Sequence, residues 1–212
     1  MKASPVSLWF LFILFFPSIP NAQPTHHKPP DSNTILKLRY EKLDWQGYEF
    51  SLCVEQSGAI YILSVNSKDS RVSGLPYKSF IDNPVKTSIL QDQDADGFPE
   101  LVCFTQSVGS GSAGTVVSFS VLDCGAFVPI AFPLLSNPQI TSGYMGHDHF
   151  QLKKDSLFHS FPIYRERDSN ARPTGGKRQL KYTLQSKLNG KSWILHEIIQ
   201  SKPEKNILKQ VL

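Results

Sequence analysis

Cysteine is scarce. The 212 residues contain only Cys53, Cys103 and Cys124, so at most one disulfide can close within the chain and one thiol is left over. There is no C-x-x-C pair, which leaves a structural zinc site or a thioredoxin-like redox site without a ligand pattern. Long apolar runs are missing beyond the N-terminus, so no membrane span is expected once that segment is removed. A basic helix and an aromatic–basic stacking motif are also missing. The basic residues of "YRERDSNARPTGGKRQLK" are interleaved with acidic ones, which reads as a solvated surface and not as a nucleic-acid interface. No segment repeats at a fixed period, which argues against a propeller.

The one strong apolar stretch, Leu8 to Phe16, stands near the start, behind Lys2 and ahead of Pro17, Pro20 and the small Ala22. It is short for a bilayer span and has the layout of a signal-peptide core. Residues 1–22 are therefore expected to be a signal peptide and 23–33, "QPTHHKPPDSN", a flexible leader. The expected location is the periplasm or the secreted fraction, where a disulfide is permitted. Of the formal charge of +4, one unit is Lys2, so the remaining chain is mildly basic.

Residues 34–200 are of one-domain size. Their hydrophobic period is two nearly throughout. Tyr48, Phe50, Leu52 and Val54 fall on one face of a strand, and the segments 59–65, 86–91, 100–106 and 115–122 read the same way. Asn189–Gly190 is the strongest hairpin signal in the chain. With about ten short strands and regular turn signals, the expected class is all-β, an antiparallel β-sandwich or a barrel-like fold. Residues 201–212 read as a polar tail.

Two adjacent loops carry most of the functional signal. Asp92, Asp94 and Asp96 precede Gly97, and Glu100 follows. Such a loop can gather hard oxygen ligands for calcium, with glycine allowing the sharp turn. The alternative is a polar turn whose aspartates satisfy their own backbone. The position that would need a bidentate Glu in an EF-hand is Cys103, and the flanks read as strands, so the loop is not an EF-hand. One strand later comes "SVGSGSAG", Ser107 to Gly114. It lacks the lysine and following helix of a phosphate loop and the G-x-S-x-G of a nucleophile elbow. What remains is a slim hairpin tip with Ser110, Gly111, Ser112 and Ala113 at its end. Tyr144, after Ser142–Gly143, is an amphipathic turn residue suited to anchoring an interface. His147 and His149 would share one face of an extended strand, as a metal pair or as ordinary polar residues.

"LQDQDADGFPELVCFTQSVGSGSAG", followed by "GHDHF", "FPIY" and "PTGGKRQLKY", resembles the periplasmic inhibitors of invertebrate-type lysozyme and their relatives, over about Leu90 to Leu184. The resemblance implies an exported antiparallel β fold without enzyme activity, whose partner is a lysozyme. It also implies that the inhibitory element is a protruding S-G-x-Y loop that enters the lysozyme cleft. Ser110, Gly111 and Ser112 match its first three positions. The fourth is Ala113, where the family has Tyr, and Tyr144 is a neighbouring aromatic that could substitute. The competing expectation is an envelope module stiffened by calcium at Asp92, Asp94, Asp96 and Glu100, with a different protein or a glycan as partner.

Overall fold

The structure, a computed structural model, describes residues 35–187 and 190–201. The expected signal peptide and leader, Asn189 of the expected hairpin turn, and the tail beyond Ser201 lie outside the described residues. The fold is all β. Its strands are β1 (Ile35–Trp45), β2 (Tyr48–Ser57), β3 (Ile60–Asn66), β4 (Tyr77–Ile81), β5 (Val85–Gln91), β6 (Glu100–Gln106), β7 (Gly114–Val121), β8 (Phe127–Ile130), β9 (His149–Lys153), β10 (Ser156–Pro162), β11 (Lys177–Lys187) and β12 (Gly190–Ser201). A single helical turn, α1 (Pro138–Thr141), is N-capped by the Asn137 side chain.

The strands form three antiparallel four-stranded meanders, β1-β2-β3-β4, β5-β6-β7-β8 and β12-β11-β10-β9. The expected sandwich is present with three layers, and no closed barrel forms among the described residues. The first core lies between the first and middle sheets, where Phe50, Leu52, Leu63 and Val65 meet Leu101, Cys103, Phe119 and Phe127. The second lies on the opposite face of the middle sheet, where Val102, Phe104 and Val116 meet Leu157, Phe161, Leu180, Tyr182 and Trp193. Alternate residues of β6 thus enter opposite cores, which is why "LVCFT" is apolar on both faces where an outer strand alternates.

The sheets are joined at their edges. Arg39 of β1 donates to the Lys86 carbonyl of β5 at 2.9 Å. Ala131, just past β8, exchanges backbone hydrogen bonds with β12, at 3.2 Å to the Lys191 carbonyl and 2.9 Å from the Trp193 amide. Between β1 and β2, Gln46 and Gly47 both take positive φ, the mirror-image turn that matches strand twist.

Two strands escape a pattern reading. β4 follows Pro76 and mixes Lys78 and Ser79 with apolar residues, and β8 contains Pro129. Both sit at sheet edges, where a missing amide or an irregular pattern is tolerated. No disulfide forms: Cys53 is half-buried, Cys124 is exposed, and Cys103 lies in the first core, where burial pushes its thiol up to about 12.

Leu101 is wholly buried at the centre of this stack. Leu101→Ala should cost about 2–5 kcal/mol through lost burial and a residual cavity. Phe80, 74% exposed, should cost under about 1 kcal/mol when changed to Ala. Urea midpoints at constant slope measure both.

Candidate functional site

The aspartate turn connects β5 to β6. The Asp92 carboxylate accepts the Asp96 amide at 3.2 Å and the Gly97 amide at 3.0 Å, and Asp96 accepts the Phe98 amide at 3.0 Å. Ala95 and Gly97 take positive φ to close the turn. Carboxylate oxygens of Asp92, Asp94 and Glu100, three of the four expected ligands, lie within 4.8 Å of one another. Glu100 is fully buried. It accepts the Gln93 amide at 2.7 Å, the Ser120 hydroxyl at 2.7 Å and the Lys191 ammonium at 2.9 Å.

Lys191 was not legible as part of this site. It stands at the start of β12 in the third sheet, and its side chain is 3% exposed. Its Nζ reaches Asp94 at 2.9 Å, Asp96 at 2.6 Å and Glu100 at 2.9 Å, which engages all three of its donors. Burial works against the Lys191 charge, but the hydrogen bonds to Asp96, Asp94 and Glu100 outweigh it and hold the ammonium well above the usual lysine range. Burial pushes Glu100 up, against its hydrogen bonds from Gln93, Lys191 and Ser120.

The donor set is the all-oxygen kind that calcium prefers. Three of the four expected ligands nevertheless already hold an ammonium, and Asp92 is bonded to backbone amides. A divalent ion centred here would have to displace Lys191. Lys191→Met should cost about 3–5 kcal/mol, because it strands the buried Glu100 carboxylate without its counter-charge. The raised Lys191 value stabilises the fold fully below the ordinary lysine value of about 10.4, and this stabilisation is lost progressively as pH rises from there to the folded value. Wild type should therefore lose stability above about pH 10.4 more steeply than Lys191→Met. Calcium at about 1 mM, the range of extracellular calcium modules, should leave the wild-type melting temperature unchanged. Calorimetry across pH, with calcium and with chelator, reads all three outcomes.

The tip leaves the far end of β6 and spans Ser107 to Ala113. Val108 is 86% exposed, and Gly109, Ser110 and Ala113 are exposed, while Gly111 and Ser112 are half-buried. The tip closes on itself, with the Ser107 amide on the Ala113 carbonyl at 2.7 Å and the Ser112 amide on the Gly109 carbonyl at 3.0 Å. A second loop, residues 142–148, lies along it. The His147 amide donates to the Gly111 carbonyl, and the Asp148 amide donates to the Ser112 carbonyl at 3.3 Å. The Asn170 amide group donates to the Ser110 carbonyl at 3.2 Å.

Asp148 is the base of this arrangement. Its side chain is fully buried and accepts the Gly114 amide at 2.7 Å and the Tyr144 hydroxyl at 2.6 Å, while its other oxygen pairs with His159 Nε2 at 2.6 Å. Tyr144 turns inward, with its ring edge-on to Phe161 at 4.8 Å. Burial and the Asp148 carboxylate push its phenol well above the usual range, so it remains a donor. The structure thus places Tyr144 as a strut beneath the tip, where the sequence suggested a second anchor. His147 and His149 are not brought together: His147 pairs with Asn170 at 2.9 Å, and His149 is exposed on β9.

Comparison with protein-family models, with curated proteins and with solved structures finds no match for this chain.

Gly146 takes φ +89°, and a Cβ there would collide with the Gly111 carbonyl. Gly146→Ala should separate the two loops at a cost of about 1–3 kcal/mol. Hydrogen exchange should quicken at His147 and Asp148 while β6 stays protected.

Proposed function

We propose that this chain is an exported, non-enzymatic binding protein that inhibits a lysozyme, most naturally one of the invertebrate type, by placing the Ser107–Ala113 tip in its cleft. The observation that carries the reading is the tip itself: exposed at Val108, Gly109 and Ser110, free of charged side chains, and tied down by His147, Asp148 and Asn170. Lysozyme cleaves its glycan with two carboxyl groups in a groove. A narrow tip that fills the groove and donates hydrogen bonds from Ser110 and from loop amides competes with the sugar.

Ala113 leaves the tip without the tyrosine of the family it resembles. This departure keeps a second reading open, an envelope module that uses the same tip on another protein or a glycan. On that reading the aspartate turn is braced by Lys191, with calcium as the competing cation.

The test is the rate of cell-wall lysis by an invertebrate-type lysozyme with added protein. Wild type should slow lysis. Ser110→Trp should raise the half-inhibitory concentration by at least about tenfold, equal to about 1.4 kcal/mol, because bulk at the tip blocks insertion. Ser110 is exposed and only its carbonyl is used internally, so the variant should fold. Lysis at an unchanged rate in the presence of wild type would refute the inhibitor reading.

A further inference from the structure

A third loop meets the tip. It follows β10 and runs from Arg165 to Thr174. Asp168 clips it shut, accepting the Arg165 amide at 2.7 Å, the Thr174 amide at 2.7 Å and the Thr174 hydroxyl at 2.8 Å. These bonds, the Arg165 amide first, hold the Asp168 carboxyl below the usual carboxylate range, so the clip is present at neutral pH. Asn170 then ties this loop to the other two. It donates to the Ser110 carbonyl, pairs with His147, and its own carbonyl accepts the Tyr164 hydroxyl at 2.9 Å.

The clipped loop carries Arg165, Arg167 and Arg172. All three are exposed, and none forms an ion pair among the described residues. Glu166 is the one exposed acid among them. Guanidinium groups on a fixed backbone match carboxylates in bidentate geometry, and arginine is enriched in protein interfaces. The neighbouring tip has no charge of its own.

We infer that the tip and the arginine loop form one docking face, and that the partner carries carboxylates on the rim of the groove that receives the tip. This rests on the inhibitor reading for the identity of the groove, and it adds which lysozymes are bound: those with an acidic cleft rim in preference to those with a basic one. The division of labour is physical. The arginine loop steers encounter and sets the association rate, while the tip fills the groove and sets residence time. A protein partner is favoured over an anionic membrane because membrane recognition by charge uses clusters of about four to eight basic residues, more than this loop holds.

The experiment measures association and dissociation rates on immobilised invertebrate-type lysozyme with an acidic cleft rim, at low and at physiological salt. The proteins are wild type, R165E/R167E/R172E, R165Q/R167Q/R172Q and Ser110→Trp, each checked for an unchanged melting transition. Charge reversal should lower the association rate at least about tenfold at low salt and invert its salt dependence, with dissociation changed less than about twofold. The glutamine variant should fall between and guards against misfolding of the reversed one. If both triple variants associate like wild type while Ser110→Trp loses binding, the arginine inference is overturned and the inhibitor reading stands. If wild type does not bind, both fall. Binding of wild type to phosphatidylglycerol vesicles but not to lysozyme, lost on charge reversal, would assign the arginines to a membrane and also overturn the inference.

Discussion

Two-sided burial of β6 is the constraint on which the rest depends. Leu101 and Cys103 belong to the first core, and Val102 and Phe104 to the second. Neither outer sheet could bury its apolar face without the middle one, so the three meanders stand as one body. β6 is also where the two informative loops attach. Glu100, its first residue, closes the aspartate turn, and Gln106, its last, opens the tip. At about 3.4 Å per residue the strand holds these two points about 20 Å apart. Such a separation is fixed by a strand that cannot slip, because a shift by one residue would exchange the residues of the two cores.

The two ends of β6 are secured by different physics. At the start, a buried ammonium bridges Asp94, Asp96 and Glu100. Its buried pair, Lys191 with Glu100, is a poor source of net stability, since desolvation offsets most of the Coulomb gain. Its value here is positional: it joins the turn of the middle sheet to β12 of the third sheet at one register. At the other end the bonds are mostly backbone to backbone, reinforced by the buried Asp148 with its Tyr144, His159 and Gly114 partners. The tip thus rests on a neighbouring loop instead of standing free.

The parts of this arrangement that were legible in the sequence are the local ones. Period two in "YEFSLCV" places Tyr48, Phe50, Leu52 and Val54 inward, and they are buried. The small residues between "ELVCFTQ" and "TVVSFSVL" mark a hairpin tip, and β6 and β7 pair on either side of it. Where the sequence falls short, the cause is non-locality. Lys191 is 91 positions from Glu100, and nothing in "GKSWIL" distinguishes a buried brace from a surface lysine. Asp148, in the loop before β9, pairs with His159 of β10, and a lone Asp or His carries no mark of that partner. Tyr144 has the chemistry of an anchor, and only the position of Asp148 decides that its hydroxyl faces inward. The apolar run of β6 showed a buried strand, and its place between two cores required the positions of both outer sheets.

Ala113 takes on a different weight in this setting. A tyrosine at the tip would add contact area and a hydroxyl, the usual route to a strong anchor. On the proposed inhibitor reading, a tip without it would bind with less area, and affinity would then depend more on what binding does not have to freeze. Ser107–Ala113 is already closed by its own hydrogen bonds and held by those from His147, Asp148 and Asn170. Ordering costs of about 0.5–1.5 kcal/mol per immobilised side chain are small for Gly, Ser and Ala, which have few rotamers to lose. On that reading, rigidity and small side chains would offset part of the aromatic that the resembled family carries. The buried polar network below the tip acts in the same direction: each bond it makes to the loops fixes their order in the free chain.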